Sequence, residues 1–121
     1  MVPNDSEQTV EWRSLCPIAS GLDIVGDKWS LLIVRDLLVH GTRTYSQFGE
    51  APEKISTNIL AARLAWLTDV DILERVHPKQ SARNNAYQLT ARGQALRPVL
   101  EALGHWSYEQ LQDEHPRILS L

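Results

Sequence analysis

Residues 56–89, STNILAARLAWLTDVDILERVHPKQSARNNAYQL, decide how this chain folds. Ser56 has the chemistry of an N-cap, its hydroxyl accepting from a free N–H of the first turn, and Ile55 before it is placed to pack on Leu60 as a hydrophobic staple. Leu60, Leu64 and Leu67 then recur at helical spacing, with Ile59 and Val70 widening the stripe. The pattern predicts a helix from residue 56 to about 70 with one face committed to the core. Its opposite face carries Thr57, Asn58, Ala61, Ala62 and Ala65, small enough to approach another surface closely, with Arg63 at the margin. From residue 73 the pattern changes. Residues 73–77 and 86–89 read as two short strands, the second alternating at Tyr87 and Leu89, around a polar tip rich in turn formers. That tip, residues 78–85, carries Lys79 and Arg83 and has no core to join.

Upstream, Cys16-Pro17 puts a proline at a first helical position, and Ile18, Leu22 and Val25 form a short apolar stripe ending at Gly26. Asp27 can cap the next helix, where Trp29, Leu32, Ile33, Leu37 and Leu38 supply an apolar face until Gly41. Thr44-Tyr45-Ser46-Gln47 fits a capping box that opens a short helix, closed by Pro52. This short helix, a turn at residues 52–54 and the Ser56 helix make a helix-turn-helix pair, the second member being the recognition helix. Downstream, Thr90 can cap a last helix running to about residue 112, with Pro98 kinking or restarting it. Its stripe of Leu96, Val99, Leu100, Leu103, Trp106 and Leu111 exceeds what a single 121-residue domain can absorb locally. The expected fold is therefore mainly α with a small β-wing, a winged helix-turn-helix that dimerises through its N- and C-terminal helices.

Composition narrows the function. No apolar run approaches the roughly 18 residues that span a bilayer, and residues 1–11 are polar and acidic, so the expectation is a cytoplasmic protein with no membrane partner. One cysteine, Cys16, excludes an internal disulfide, and the four histidines show no metal-ligand spacing, so neither a metal nor a cofactor is expected. There is no glycine-rich phosphate loop, no Glu-flanked histidine pair and no nucleophile grouped with a base, which argues against an enzyme and leaves no catalytic residue to name. The net charge of −3 looks unfavourable for binding phosphate, but its distribution matters more. Residues 54–97 hold seven cations against three acids, a net of +4, while the rest of the chain nets −7.

A basic helix and wing inside an acidic protein suit a surface that docks on double-stranded DNA at one place. On the helix Thr57, Asn58 and Arg63 are the candidate contacts, with Asn58 best suited to a base edge because its amide both donates and accepts. Ser56 belongs to the same surface chiefly as the cap. On the wing, Lys79, Arg83 and Asn84 are the candidates for phosphate or the adjacent minor groove. The competing reading is a winged-helix protein-interaction module without specific DNA binding. Cys16, at the N-cap of a helix that starts with Pro17, is where unpaired N–H groups and the helix dipole favour a thiolate; the plainer alternative is a buried core thiol. A small-molecule effector between dimer helices, near Trp12, Trp29 or Trp106, competes with the same aromatics serving as core.

Several motifs share a pattern. Cys16-Pro17-Ile18, the run from Leu22-Asp23-Ile24-Val25-Gly26-Asp27-Lys28-Trp29 through Leu38, Ile55-Ser56, Arg63-Leu64, Ile72-Leu73-Glu74-Arg75, Tyr87-Gln88-Leu89-Thr90 with Gly93, and Pro98-Val99-Leu100 with Leu103 and Trp106 resemble the HxlR-type transcriptional regulators, relatives of the MarR regulators. The resemblance divides the chain into an N-terminal arm or dimer helix at 1–15, a family core at 16–108 and a C-terminal tail at 109–121. It implies a homodimer that sets two recognition helices in successive major grooves, and it puts Cys16 where several such regulators sense oxidants or electrophiles. The chain departs from the family pattern at Thr44-Tyr45, where Arg-Phe is frequent, at Trp66, and at Asn85-Ala86 before the wing tyrosine.

Overall fold

The helices begin where short polar side chains can replace missing backbone partners. In the structure, a computed structural model that describes residues 10–120, α1 (Pro17–Val25) starts with proline in its first turn. Helix α2 (Ser30–His40) is opened by Asp27, whose carboxylate accepts from the backbone N–H of Trp29 at 2.9 Å and of Ser30 at 3.0 Å, and from the Ser30 hydroxyl. Thr44 and Gln47 close a reciprocal capping box on the one-turn helix α3 (Tyr45–Phe48). Ser56 Oγ accepts from Ile59 N at the start of α4 (Thr57–Asp69). The last stretch is two helices, α5 (Ala91–Gln94), capped by Thr90, and α6 (Arg97–Gln110), which restarts with Pro98 in its first turn.

The ribbon expected after α4 is part of a three-stranded antiparallel sheet. Strands β2 (Leu73–Arg75) and β3 (Ala86–Leu89) pair as expected, and β1 (Thr42–Thr44) adds on the far side, giving the order β1-β3-β2. The register sets Arg43 and Arg75 opposite Tyr87 from the two sides, and Leu73 opposite Leu89. Three residues are too few for an alternation to show, so β1 had no signature of its own; it exists because β3 offers it a ladder.

One core joins α2, α3, α4 and the sheet. Val34, Leu37, Phe48, Leu60, Leu64, Leu67, Leu73 and Tyr87 are buried in it, and Ile55 packs against its edge as the staple requires. Ile59 does not belong to the stripe: it is 41% exposed, because at 100° per residue it lies well round the helix from Leu60, Leu64 and Leu67. Part of the α1 and α6 stripes faces outward too, while Val25 lies in the core and Leu96 and Leu100 pack against it. Ile18 and Leu22 on α1, and Val99, Leu103 and Trp106 on α6, are all exposed, and α6 has no buried residue.

Two tight seats fix the joints around α4. In the turn between α3 and α4, Lys54 adopts φ 57°, and Glu53 there accepts two hydrogen bonds, 2.8 and 2.9 Å, from the Arg35 guanidinium of α2. This fork holds the Glu53 carboxyl below the usual carboxylate range. Beyond α4, the Thr90 hydroxyl donates to the Asp71 carbonyl at 2.6 Å, and Gly93 lies against the backbone of Ile72. A Cβ at Gly93 would collide with the Ile72 carbonyl oxygen and stand 2.9 Å from Leu89 Cδ2. Gly93→Ala is therefore expected to cost about 1–3 kcal/mol in urea unfolding, since the obstruction is backbone that cannot swing aside.

Candidate nucleic-acid interface

With its leucines buried, α4 exposes Thr57, Asn58, Ile59, Ala62 and Ala65. Asn58, Ala62 and Ala65 share one outward face, and beside Asn58 only methyl groups stand between the helix and an approaching surface. Ser56, also exposed, uses its hydroxyl as the cap.

Arg63 does not share that face. It lies about 140° round the helix from Asn58, and its Nη1 is 3.4 Å from Asp27 Oδ1. Trp66, one turn on, donates its indole N–H to the Ile24 carbonyl at 2.8 Å, so it braces α4 against α1. Together with Leu22, Asp23, Ile24, Gly26 and Asp27 these two side chains line a cleft of about 380 Å³. Burial pushes the Asp27 carboxyl up, but the Ser30 hydroxyl, two backbone N–H groups and Arg63 outweigh it and hold the group below its ordinary value of 3.8. An ionised Asp27 thus stabilises the fold above that value, and the contribution is lost as pH falls through its depressed pKa.

The wing tip has a core after all, and it is polar. Asn85 is buried to 2% exposure, where its Oδ1 accepts from His77 N at 2.9 Å and its Nδ2 donates to the carbonyls of His77 at 2.7 Å and Gln80 at 3.2 Å. Tyr87 reaches the tip from below, its hydroxyl donating to the Ala82 carbonyl at 3.1 Å while its ring meets Phe48 at 6.3 Å between centroids. Burial pushes the Tyr87 phenol up. A one-turn 3-10 segment, Ala82–Asn84, forms over these anchors. Lys79 and Asn84 project from the tip into solvent, whereas Arg83 folds back with its guanidinium 5.1 Å from the centre of the Tyr45 ring.

Tyr45 and Asn85 were not among the residues expected to matter. Their signal was faint: each is a polar side chain at an alternation or capping position that becomes buried, and only the fold shows what it reaches. Arg43 and Arg75, brought to the base of the wing on either side of Tyr87, were likewise missed as a pair because β1 was missed.

Cys16 occupies the N-cap position expected for it, with an extended backbone and no side-chain capping hydrogen bond. It is exposed in the single chain, beside the exposed Leu15 and Ile18. Trp29 lines a small crevice with Phe48 and Ile55, and Trp12 and Trp106, both exposed, are not part of its lining. Among the described residues there is no His, Cys, Asp and Glu cluster fit for a metal ion, and no helix is long and apolar enough to cross a membrane.

The polar latch has a measurable consequence. Asn85→Ala strands the His77 N–H and the Gln80 carbonyl, so it is expected to lower stability by about 1–3 kcal/mol and to open the tip to protease cleavage between residues 78 and 84, read by urea unfolding and limited proteolysis.

These features match known proteins. The family model for the HxlR-like helix-turn-helix matches residues 24–115. The HTH-type transcriptional regulator sll1512 of Synechocystis sp. is 34% identical over 115 residues, 94% of this chain and 84% of that protein. YodB of Bacillus subtilis, also an HTH-type transcriptional regulator, is 30% identical over 96 residues, 78% of this chain and 85% of its own length. Among solved structures, PA1607, described as a candidate transcription factor, superposes with a TM-score of 0.70 at 37% identity, covering 81% of this chain and 67% of that one. Quinone-bound YodB superposes with a TM-score of 0.64 at 30% identity, covering 78% of this chain and 99% of that one. With its caps, its buried α4 stripe and its β1-β3-β2 wing matching over most of its length, the chain belongs to the HxlR-like helix-turn-helix family of transcriptional regulators.

Proposed function

We propose that the protein acts as a homodimer on a palindromic operator, with α4 of each protomer in a major groove and each wing on the flanking backbone. The observation that carries this is the juxtaposition of the exposed Thr57–Asn58 end of α4 with the wing cation Arg83, bridged by Tyr45. This connection supports a reading in which the Asn58 amide meets a base while Arg83 meets phosphate, as simultaneous groove and backbone contact requires. Ser56 caps the helix and offers its first turn; Thr57 and Asn58 face the bases; Lys79, Arg83 and Asn84 take the backbone or the minor groove. Arg63 lies off that face, paired with Asp27, and it is assigned to holding α4 on the α1–α2 junction.

Pairing of protomers is supported by what the single chain leaves uncovered. Ile18 and Leu22 on α1 and Val99, Leu103 and Trp106 on α6 are exposed large apolar side chains on helix faces without a partner in the single chain. A two-fold axis through these helices gives two copies of α4 and hence a palindromic site. The effector is an oxidant or electrophile acting at Cys16, or a small molecule bound between the paired helices. YodB, a relative, has been solved with a quinone bound, and exposure of Cys16 beside the apolar α1 face supports the same region here. With one cysteine in the chain, any disulfide joins two protomers or captures a small thiol.

Duplexes selected from random DNA by the protein should be palindromic, and footprints on them should show two half-sites about 34 Å apart or a multiple of that. Asn58→Ala should reduce discrimination between these duplexes and scrambled ones by about 1–3 kcal/mol, while Arg83→Glu weakens binding to both. A footprint on one unrepeated half-site, or salt-insensitive association with no DNA shift, defeats the proposal, the latter in favour of a protein-interaction module. For the effector, mild peroxide should shift Cys16 on non-reducing gels and in mass spectra and change operator affinity; an unmodified thiol with undiminished binding leaves only the small-molecule route.

A further inference from the structure

The Tyr45 side chain touches both halves of the proposed DNA surface. Its ring is buried to 7% exposure at the start of α3. From there its hydroxyl donates to the carbonyl of Thr57, the first residue of α4, at 2.7 Å. Its backbone N–H donates to the Asn85 carbonyl at the base of the wing at 3.3 Å. The ring face carries the Arg83 guanidinium at 5.1 Å. The wing tip is also tied to its own ribbon through Asn85 and to the sheet through Tyr87.

We infer that Tyr45 is a strut that sets the spacing and angle between the recognition helix and the wing, and is thereby a positioning residue for operator discrimination. This rests on the DNA-binding reading above and adds to it the side chain that makes the two contacts cooperate. The physical argument is geometric. Base recognition by Asn58 requires its amide to be held to a fraction of an ångström, while Arg83 settles wherever phosphate is nearest. If helix and wing moved independently, phosphate contacts would form at every register, and the base contact would be made at some cost in ordering. The Tyr45 hydroxyl removes that freedom at the helix end and its ring removes it at the wing end. Arg83 keeps its seat on the ring and presents its outer N–H groups to the duplex, since a guanidinium stacked on an aromatic face still has donors at its edge.

The hydroxyl can be removed without emptying the core, because Tyr45→Phe keeps the ring. Arg83→Lys keeps the charge and loses the planar stack. Affinities for the duplex selected by the wild-type protein and for a scrambled duplex of equal length are measured by fluorescence anisotropy across a salt series. Tyr45→Phe should lower the ratio of the two affinities by about tenfold, the loss falling on the selected duplex, with scrambled binding and its salt slope unchanged. Arg83→Lys should lower the same ratio, and the double variant should lose no more than the larger single loss, because either change breaks the same link. A ratio unchanged in Tyr45→Phe, equal weakening on both duplexes, or additive losses in the double variant would each overturn the strut while leaving DNA binding intact. A wild-type protein that does not distinguish the two duplexes overturns the DNA reading itself, and the strut with it.

Discussion

The contact of Leu60, Leu64 and Leu67 with the core is what the remaining architecture is arranged around. Burying each leucine is worth about 1.5–3 kcal/mol, and all three point the same way because they recur at helical spacing. That stripe rotates α4 so that Asn58, Ala62 and Ala65 face solvent. The Ser56 cap at one end, and the Arg35–Glu53 fork in the turn before it, prevent the helix from sliding or fraying where its exposed first turn begins. Opposite, Arg63 and Trp66 tie α4 to the α1–α2 junction, so the helix is gripped on two sides and open on a third.

The wing is built on a different principle. Its tip is too polar for a hydrophobic core, so the order comes from satisfying one buried amide: Asn85 pairs with both backbone groups of His77 and reaches Gln80. A buried, fully bonded amide specifies one loop conformation, because any other leaves donors and acceptors unpaired. The result is a polar loop that is nevertheless shaped, with Lys79 and Asn84 presented outward and Arg83 turned back to Tyr45. Shape in the wing and rigidity in α4 are joined through one phenol.

Charge and apolar surface are segregated along the chain. Residues 54–97 carry a net charge of +4 within an acidic whole, which favours phosphate affinity on the elements they form. The uncovered apolar side chains of α1 and α6 lie in segments on either side of that stretch in sequence. Keeping cations and uncovered apolar side chains on separate elements avoids desolvating a cation within an apolar interface, which is costly.

Caps, periodicities and punctuation were readable in the chain itself because they are local: Asp27, Thr44, Ser56 and Thr90 each act within three residues, and the α4 leucines repeat every turn. So the helix order, the ribbon and the restart at Pro98 could be placed from pattern alone, and the motifs spaced along the chain supplied the family. Strand β1 could not, for its three residues are ordered only by the β3 ladder. Nor could the partners of long polar side chains. Arg63 looked free to meet DNA until Asp27, thirty-six positions earlier, was folded beside it, and Ile59 looked like core until the helix was rotated by its neighbours. Asn85 and Tyr45 became important only when backbone carbonyls distant in sequence were brought within hydrogen-bond reach. Short-range bonding and burial period are written into adjacent residues; which polar group meets which across the fold depends on packing that no local pattern contains.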